Sequence, residues 1–271
     1  MEKDLRLFLV VLLLVLISAM ACSSGPSAVP QGTSVSGNWQ ITLSNTTAPN
    51  IVFTGFLTQS GNSVTGSLLQ ALNSNCSGVG SVTGTVNGQN VSNGQNVSLG
   101  ISLSGGTTSL IGTTVNLGAP MGGAFTSQAD MCNSASSGTW SAVPIAPIGT
   151  DSPGGNFHGS FGSINVIGTL SQGPNTGSST ATLSGTLTPT GTASICPYLS
   201  TGTITGLISG TAVSLNLYGE NGVEYAQLGN IGANPTVTVT PDGSSISGTY
   251  LFGPLSNFCP SAQGNFSLSF P

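Results

Sequence analysis

The sequence predicts an all-β protein: two tandem antiparallel meander barrels of about eight strands each, behind an export leader and a tether. Three observations predict it. Beyond Cys22 the chain is glycine, serine, threonine, asparagine and β-branched residues, with few good helix formers and no window of helical period. Short segments alternate apolar and polar residues between Asn-Gly and Asp-Gly turn signals, the hairpin signature. The whole pattern then occurs twice.

The leader comes first. Lys3 and Arg6 are the only cations of the chain, and both precede an apolar run from Leu7 to Ala21. That run is too short to span a ~30 Å hydrocarbon core comfortably but fits the apolar region of a signal peptide, assigned here to residues 1–21. Ser18-Ala19-Met20-Ala21-Cys22 resembles the lipobox of bacterial lipoproteins, with alanine at minus one and at minus three, where that family usually has leucine. The resemblance implies that Cys22 is acylated, becomes the new N-terminus and holds the protein on a membrane. Several acyl chains, at ~0.8 kcal/mol per buried CH₂, make such an anchor stable. Ser23, where an aspartate would favour retention at the inner membrane, implies the outer membrane by the same analogy. The alternative is an ordinary secretory signal cut near Ala21, leaving Cys22 a free thiol. Residues 22–35 lack hydrophobic periodicity and read as the lipidated cysteine followed by a flexible linker.

The first barrel is expected over residues 36–145. Its strands include Trp39–Leu43 and Val97–Leu103, and Ser60-Gly61-Asn62 marks a turn. Residues 146–152 form a proline-punctuated linker. The second barrel, 153–271, has a strand at Val213–Leu217, with turns at Gly219–Gly222 and Pro241-Asp242-Gly243. The two units align in order. Gly37-Asn38-Trp39 matches Gly155-Asn156-Phe157 (155 − 37 = 118), and Thr83-Gly84 matches Thr205-Gly206 (205 − 83 = 122). Val97-Ser98-Leu99 matches Val213-Ser214-Leu215 (213 − 97 = 116), the offset falling because Asn87–Ser92 is copied as Asn93–Ser98. Each unit opens and closes on Gly-x-aromatic: Trp39 and Trp140 in the first, Phe157 and Phe266 in the second. Pairing of first with last strand explains this and closes the barrel, which removes sheet edges open to aggregation. A two-sheet sandwich built of the same strands is the alternative.

Alternation places Trp39, Ile41 and Leu43 on one face, likewise Leu99, Ile101 and Leu103, and Phe266, Leu268 and Phe270. The opening Gly-x-Trp resembles the first strand of calycins, the lipocalin and avidin group. That resemblance implies a barrel mouth holding a small neutral or apolar ligand or a glycan. Trp39, Trp140, Phe157 and Phe266 are then the candidate lining residues.

Four cysteines remain after Cys22: Cys76, Cys132, Cys196 and Cys259, two per unit at matching places. The duplication favours Cys76–Cys132 and Cys196–Cys259 among the three pairings, as expected in an oxidising envelope compartment. The loops closed span 132 − 76 = 56 and 259 − 196 = 63 residues, worth ~4 kcal/mol each in the loop-entropy picture. Zinc is the competing use, but there is no Cys-x-x-Cys and His158 has no histidine partner, so no metal and no cofactor are expected.

The lack of cations after Arg6 excludes most chemistry. Nothing can neutralise nucleic-acid phosphates, so no nucleic-acid partner is expected. His158, the single histidine, lies on the face opposite Phe157 and matches Gln40, both expected to meet solvent. Glu220 and Glu224 are the nearest carboxylate pair, but one belongs to a turn and the other to the following strand. Asp242 is explained by its Pro-Asp-Gly turn. The leading expectation is a non-enzymatic, envelope-anchored surface lipoprotein of structural or adhesive role. Binding of a small neutral or apolar ligand or a glycan at a barrel mouth is the alternative, and an envelope glycoside hydrolase the third.

Overall fold

The computed structural model describes residues 34–46, 49–71, 78–87, 95–103, 106–114, 120–129, 135–149, 155–175, 177–190, 201–220, 222–231, 235–252 and 262–271. The leader, most of the tether and all five cysteines (Cys22, Cys76, Cys132, Cys196 and Cys259) lie outside the described residues.

The first unit is a closed barrel of β1 (Gly37–Ser44), β2 (Ile51–Ser60), β3 (Ser63–Ala71), β4 (Gly78–Asn87), β5 (Gln95–Leu103), β6 (Gly106–Thr114), β7 (Met121–Ser127) and β8 (Ser136–Ile145). Every strand is antiparallel to its neighbours, and β1 pairs with β8 to complete the ring, Leu43 standing across from Trp140. The opening and closing strands therefore do pair. Because they run antiparallel, their aromatics sit at opposite ends of the ladder, with Trp39 across from Pro144.

The second unit contains β9 (Asn156–Phe161), β10 (Ile164–Gln172), β11 (Ala181–Pro189), β12 (Gly202–Ser209), β13 (Ala212–Tyr218), β14 (Glu224–Gly229), β15 (Val237–Val239), β16 (Ser245–Phe252) and β17 (Ala262–Ser269). It too is an eight-strand ring, closed through β9–β17 and β12–β13; the short β15 shares with β14 the place between β13 and β16. The sandwich alternative is excluded by both closures.

Period-two alternation sorts the side chains. Trp39, Ile41, Leu43, Leu68, Leu99, Ile101, Leu110 and Trp140 belong to one buried cluster of the first barrel. The outward rows are hydroxyl-rich: Thr65 stands across from Thr83, and Ser81 across from Ser102. Apolar inside and polar outside is the reverse of a barrel whose outer band meets lipid. Among the described residues no helix is long and apolar enough to cross a membrane. The second barrel is the more aromatic. Phe161 stacks on its cross-strand partner Phe266 at 5.0 Å and 8°, and Tyr250 and Phe252 pack around Phe161 at 5.6 and 5.8 Å.

The duplication is visible in register as well as in sequence. Gly84 pairs with Leu99, and the matching Gly206 pairs with the matching Leu215. At both glycines a Cβ would run into the facing serine carbonyl (Ser98 or Ser214) and the leucine side chain. The strands coil this closely because no side chain keeps them apart. The six-residue tandem copy, Asn87–Ser98, runs from the last residue of β4 into β5, whose residues Asn96, Val97 and Ser98 pair with Asn87, Val86 and Thr85.

Candidate functional site

The barrels meet along a seam made by the outer face of β1–β2. Asn38, Gln40, Thr54 and Phe56 point away from the first barrel's interior, as alternation requires, but Asn38, Thr54 and Phe56 are buried and Gln40 is half-buried. The β12–β13 turn (Ser209, Gly210, Thr211) docks on them. Asn38 Nδ2 donates to the Gly210 carbonyl at 3.0 Å, and the Gly210 N–H donates to Asn38 Oδ1 at 2.7 Å. Thr211 Oγ1 donates to Gln40 Oε1 at 2.7 Å, and the hydroxyls of Thr54 and Ser209 share a hydrogen bond of 2.9 Å. Gln40 is thus not simply solvent-facing, contrary to expectation; its counterpart His158 is exposed. Gly210 is required twice over. Its φ is +55°, and a Cβ there would lie 2.6 Å from the Thr54 methyl. Phe56 and Ile145 of the first barrel belong to the buried cluster of the second.

The linker is gripped as well. The Ala146 N–H donates to the Pro241 carbonyl at 2.8 Å, and Ile148 is 3% exposed within the second barrel's cluster.

Beside the seam lies a groove of about 770 Å³, within the size range of small-molecule pockets. Trp39, Phe56, Leu57 and Ile145 line it and are buried, while the exposed prolines Pro147, Pro174 and Pro241 stand at its edge. Its polar side chains are engaged within the fold. Asn38 holds Gly210, and Gln172 Oε1 accepts from the Ile148 N–H at 3.5 Å. Asn175 Nδ2 donates to the carbonyls of Ser178 and Thr180, each at 2.8 Å. Among the described residues Asp242 is the only titratable one of the lining. Hydrogen bonds from Thr240 and then Ser244 hold its carboxyl below the usual range, at about 2, so the charge persists at any physiological pH.

The expected ligand-lining aromatics are all interior. Trp39 and Trp140 are each 3% exposed, Phe157 4% and Phe266 3%. The indole N–H of Trp39 donates to the Val35 carbonyl at 2.8 Å and that of Trp140 to the Ile111 carbonyl at 3.1 Å. Of the four, only Trp39 borders the groove. Glu220 is exposed in the turn closed by Gly222 N–H to Gly219 carbonyl, and Glu224 opens β14 across from Tyr218. Neither carboxylate nor His158 lines the groove. Among the described residues no three His, Cys, Asp or Glu side chains gather as a metal site would need.

The groove itself was not predicted. One signal for it existed: in Phe53-Thr54-Gly55-Phe56-Leu57, alternation turns Phe53 and Leu57 inward and leaves Phe56 facing out, where a lone phenylalanine wants cover.

Comparison with protein-family models, with curated proteins and with solved structures finds no match to this chain.

Proposed function

We propose that this protein is a non-enzymatic lipoprotein of the bacterial envelope, held to the membrane by acyl chains on Cys22 and displaying its double barrel as a structural or adhesive module. Ser23 after the cysteine favours the outer membrane. The non-enzymatic part rests on the groove beside the seam. Among the described residues that line it Asp242 is the one carboxylate, no histidine or cysteine is present, and Asn38, Gln172 and Asn175 are occupied in holding the fold. General acid–base or nucleophilic catalysis needs at least two such groups in reach of one reacting atom. The anchor is tested by Cys22→Ser, which should take up no labelled fatty acid and persist as an unprocessed precursor. A variant still acylated would end the lipoprotein reading.

The groove supports one second reading, capture of a small neutral apolar molecule. A glycan is the poorer fit, because sugar hydroxyls need unoccupied polar partners and the walls are aromatic, aliphatic and proline surface. Titration with an environment-sensitive apolar dye, read through the fluorescence of Trp39, tests this. Saturable quenching lost in Pro174→Asp, a change at an exposed position of the lining, supports it; unsaturable binding unaffected by the substitution refutes it.

A further inference from the structure

Beyond Arg6 the chain holds the carboxylates Asp130, Asp151, Glu220, Glu224 and Asp242 and no lysine or arginine. Among the described residues Asp242 is the one of them that borders the groove beside the seam. We propose that this groove selects a hydrophobic organic cation: given that it holds a small molecule, that molecule carries an ammonium group which rests against Asp242.

The carboxylate is held in place by its turn. The Gly243 N–H donates to the Thr240 carbonyl at 2.9 Å, and the Ala146 N–H donates to the Pro241 carbonyl at 2.8 Å. Gly243, at φ +72°, sits so near the linker that a Cβ there would lie 2.8 Å from the Pro147 carbonyl oxygen. The turn is thereby pinned to Ala146 and Pro147, which also line the groove. Asp242 Oδ1 accepts from the Ser244 N–H at 3.1 Å and from the Ser244 hydroxyl at 2.8 Å. Both donors are neutral, so they orient the carboxylate without cancelling its charge, and a carboxylate can accept about four hydrogen bonds in all.

Nothing in the double barrel neutralises that charge. No lysine or arginine follows Arg6, and His158 does not line the groove. Apolar walls beside an uncompensated charge focus its field into the cleft. A neutral apolar molecule would use the walls alone. An anionic one would be repelled and would find no cation to hold it. A bare metal ion needs several ligands, and among the described residues no three His, Cys, Asp or Glu side chains gather. An apolar body with one ammonium group uses both features, its hydrocarbon against Pro147, Pro174 and Pro241 and its N–H against the carboxylate. Trp39 and Phe56 are only 3% and 7% exposed, so the charge is read by Asp242 and not by an aromatic face.

Three probes that share one apolar body test this: 1-aminoadamantane, 1-adamantanol and adamantane-1-carboxylate, which are positive, neutral and negative at neutral pH. Each is titrated calorimetrically into the full-length protein in nanodiscs of zwitterionic lipid, with empty nanodiscs as the blank. At low salt the amine should bind at least about fivefold more tightly than the alcohol, and the carboxylate more weakly than either. That preference should shrink as salt is raised. It should vanish in Asp242→Asn, which keeps an oxygen for the Ser244 donors, while the affinity for the alcohol stays as it was. If the variant proves unstable by circular dichroism, the salt series on wild type decides alone. An alcohol that binds as tightly as the amine overturns the cation and leaves the groove a neutral site, whereas no binding by any of the three overturns both. A preference that persists in well-folded Asp242→Asn, or undiminished at high salt, overturns the assignment to Asp242.

Discussion

Asn38 holds Gly210 by both ends of its amide, donating to the glycine carbonyl at 3.0 Å and accepting from the glycine N–H at 2.7 Å. One side chain thereby satisfies both backbone groups of a residue in the other barrel, in a position that water does not reach. Asn38→Ala should leave two buried groups without partners, at ~1–3 kcal/mol for each group left unsatisfied. Asn38→Asp should be no better than alanine despite its matching shape, because a carboxylate has no N–H to offer the Gly210 carbonyl and must itself be buried. Chemical denaturation of the two variants checks this, and an aspartate variant as stable as wild type would contradict the geometry.

What the amino-acid pattern reveals here is the inside of each barrel, and what it conceals is the space between them. Leu99, Ile101 and Leu103 announce an inward face by their spacing, and the matched order of Gly84 and Leu99 with Gly206 and Leu215 announces the repeat. Closure was legible because both terminal strands carry the same motif. Asn38, Gln40 and Thr54, by contrast, look like any outward polar residues. A period of two separates core from exterior but says nothing of which exterior is covered. The groove was hidden for the same reason, since its walls come from segments far apart in the chain, such as Ser36–Trp39 and Pro241–Asp242.

The paired glycines make a sharper test of the duplication. If Gly84 and Gly206 hold equivalent places, alanine at either should clash with the facing serine carbonyl and with Leu99 or Leu215. Overpacking of this kind costs ~1–3 kcal/mol, and backbone on the other side leaves little room to yield. Both variants should lose stability by similar amounts in thermal unfolding. A large loss at one with none at the other would break the equivalence.

Phe56 separates the barrels' joint stability from the stability of either alone. In the whole chain Phe56→Thr, which installs the residue found at the counterpart Thr169, removes a buried aromatic and should cost ~3 kcal/mol, near the low end of phenylalanine truncations. In residues 36–145 expressed alone, the same phenylalanine would face water, so the substitution should improve solubility and reduce dye binding. Opposite signs in the two contexts are expected, measured by unfolding midpoints for the whole chain and by light scattering for the fragment. Equal destabilisation in both would place Phe56 in the first barrel's own core.

Acid should loosen the clasp on the linker. The Asp242 carboxylate receives hydrogen bonds from Thr240 and Ser244, which lower its pKa from 3.8 to about 2. A group whose folded value is depressed stabilises the fold above its unfolded pKa and loses that contribution as pH falls through the folded one. The turn should therefore keep its full contribution above about 4 and surrender it between 3.8 and about 2. The group is fully exposed, so the effect is small and local. Asp242→Asn should flatten the acid limb over that window, read as the unfolding midpoint against pH; a wild-type limb of the same slope would mean that the turn titrates without consequence.

The disulfide pairing comes last, and it rests on the duplication. In sequence Cys76 falls between β3 and β4 and Cys132 between β7 and β8, while Cys196 falls between β11 and β12 and Cys259 between β16 and β17. Two cysteines at matching places in each unit favour pairing within the unit, since a one-domain ancestor would have needed its own bridge. Non-reducing peptide mapping should join Cys76 to Cys132 and Cys196 to Cys259. Trypsin cannot be used, since no lysine or arginine follows Arg6, and pepsin or chymotrypsin must serve. Reduction should lower stability in each barrel by up to ~4 kcal/mol, less where strain or residual structure intervenes. A peptide linking Cys76 to Cys196 or to Cys259 would show that the halves are joined covalently to each other, against the pairing that the duplication favours.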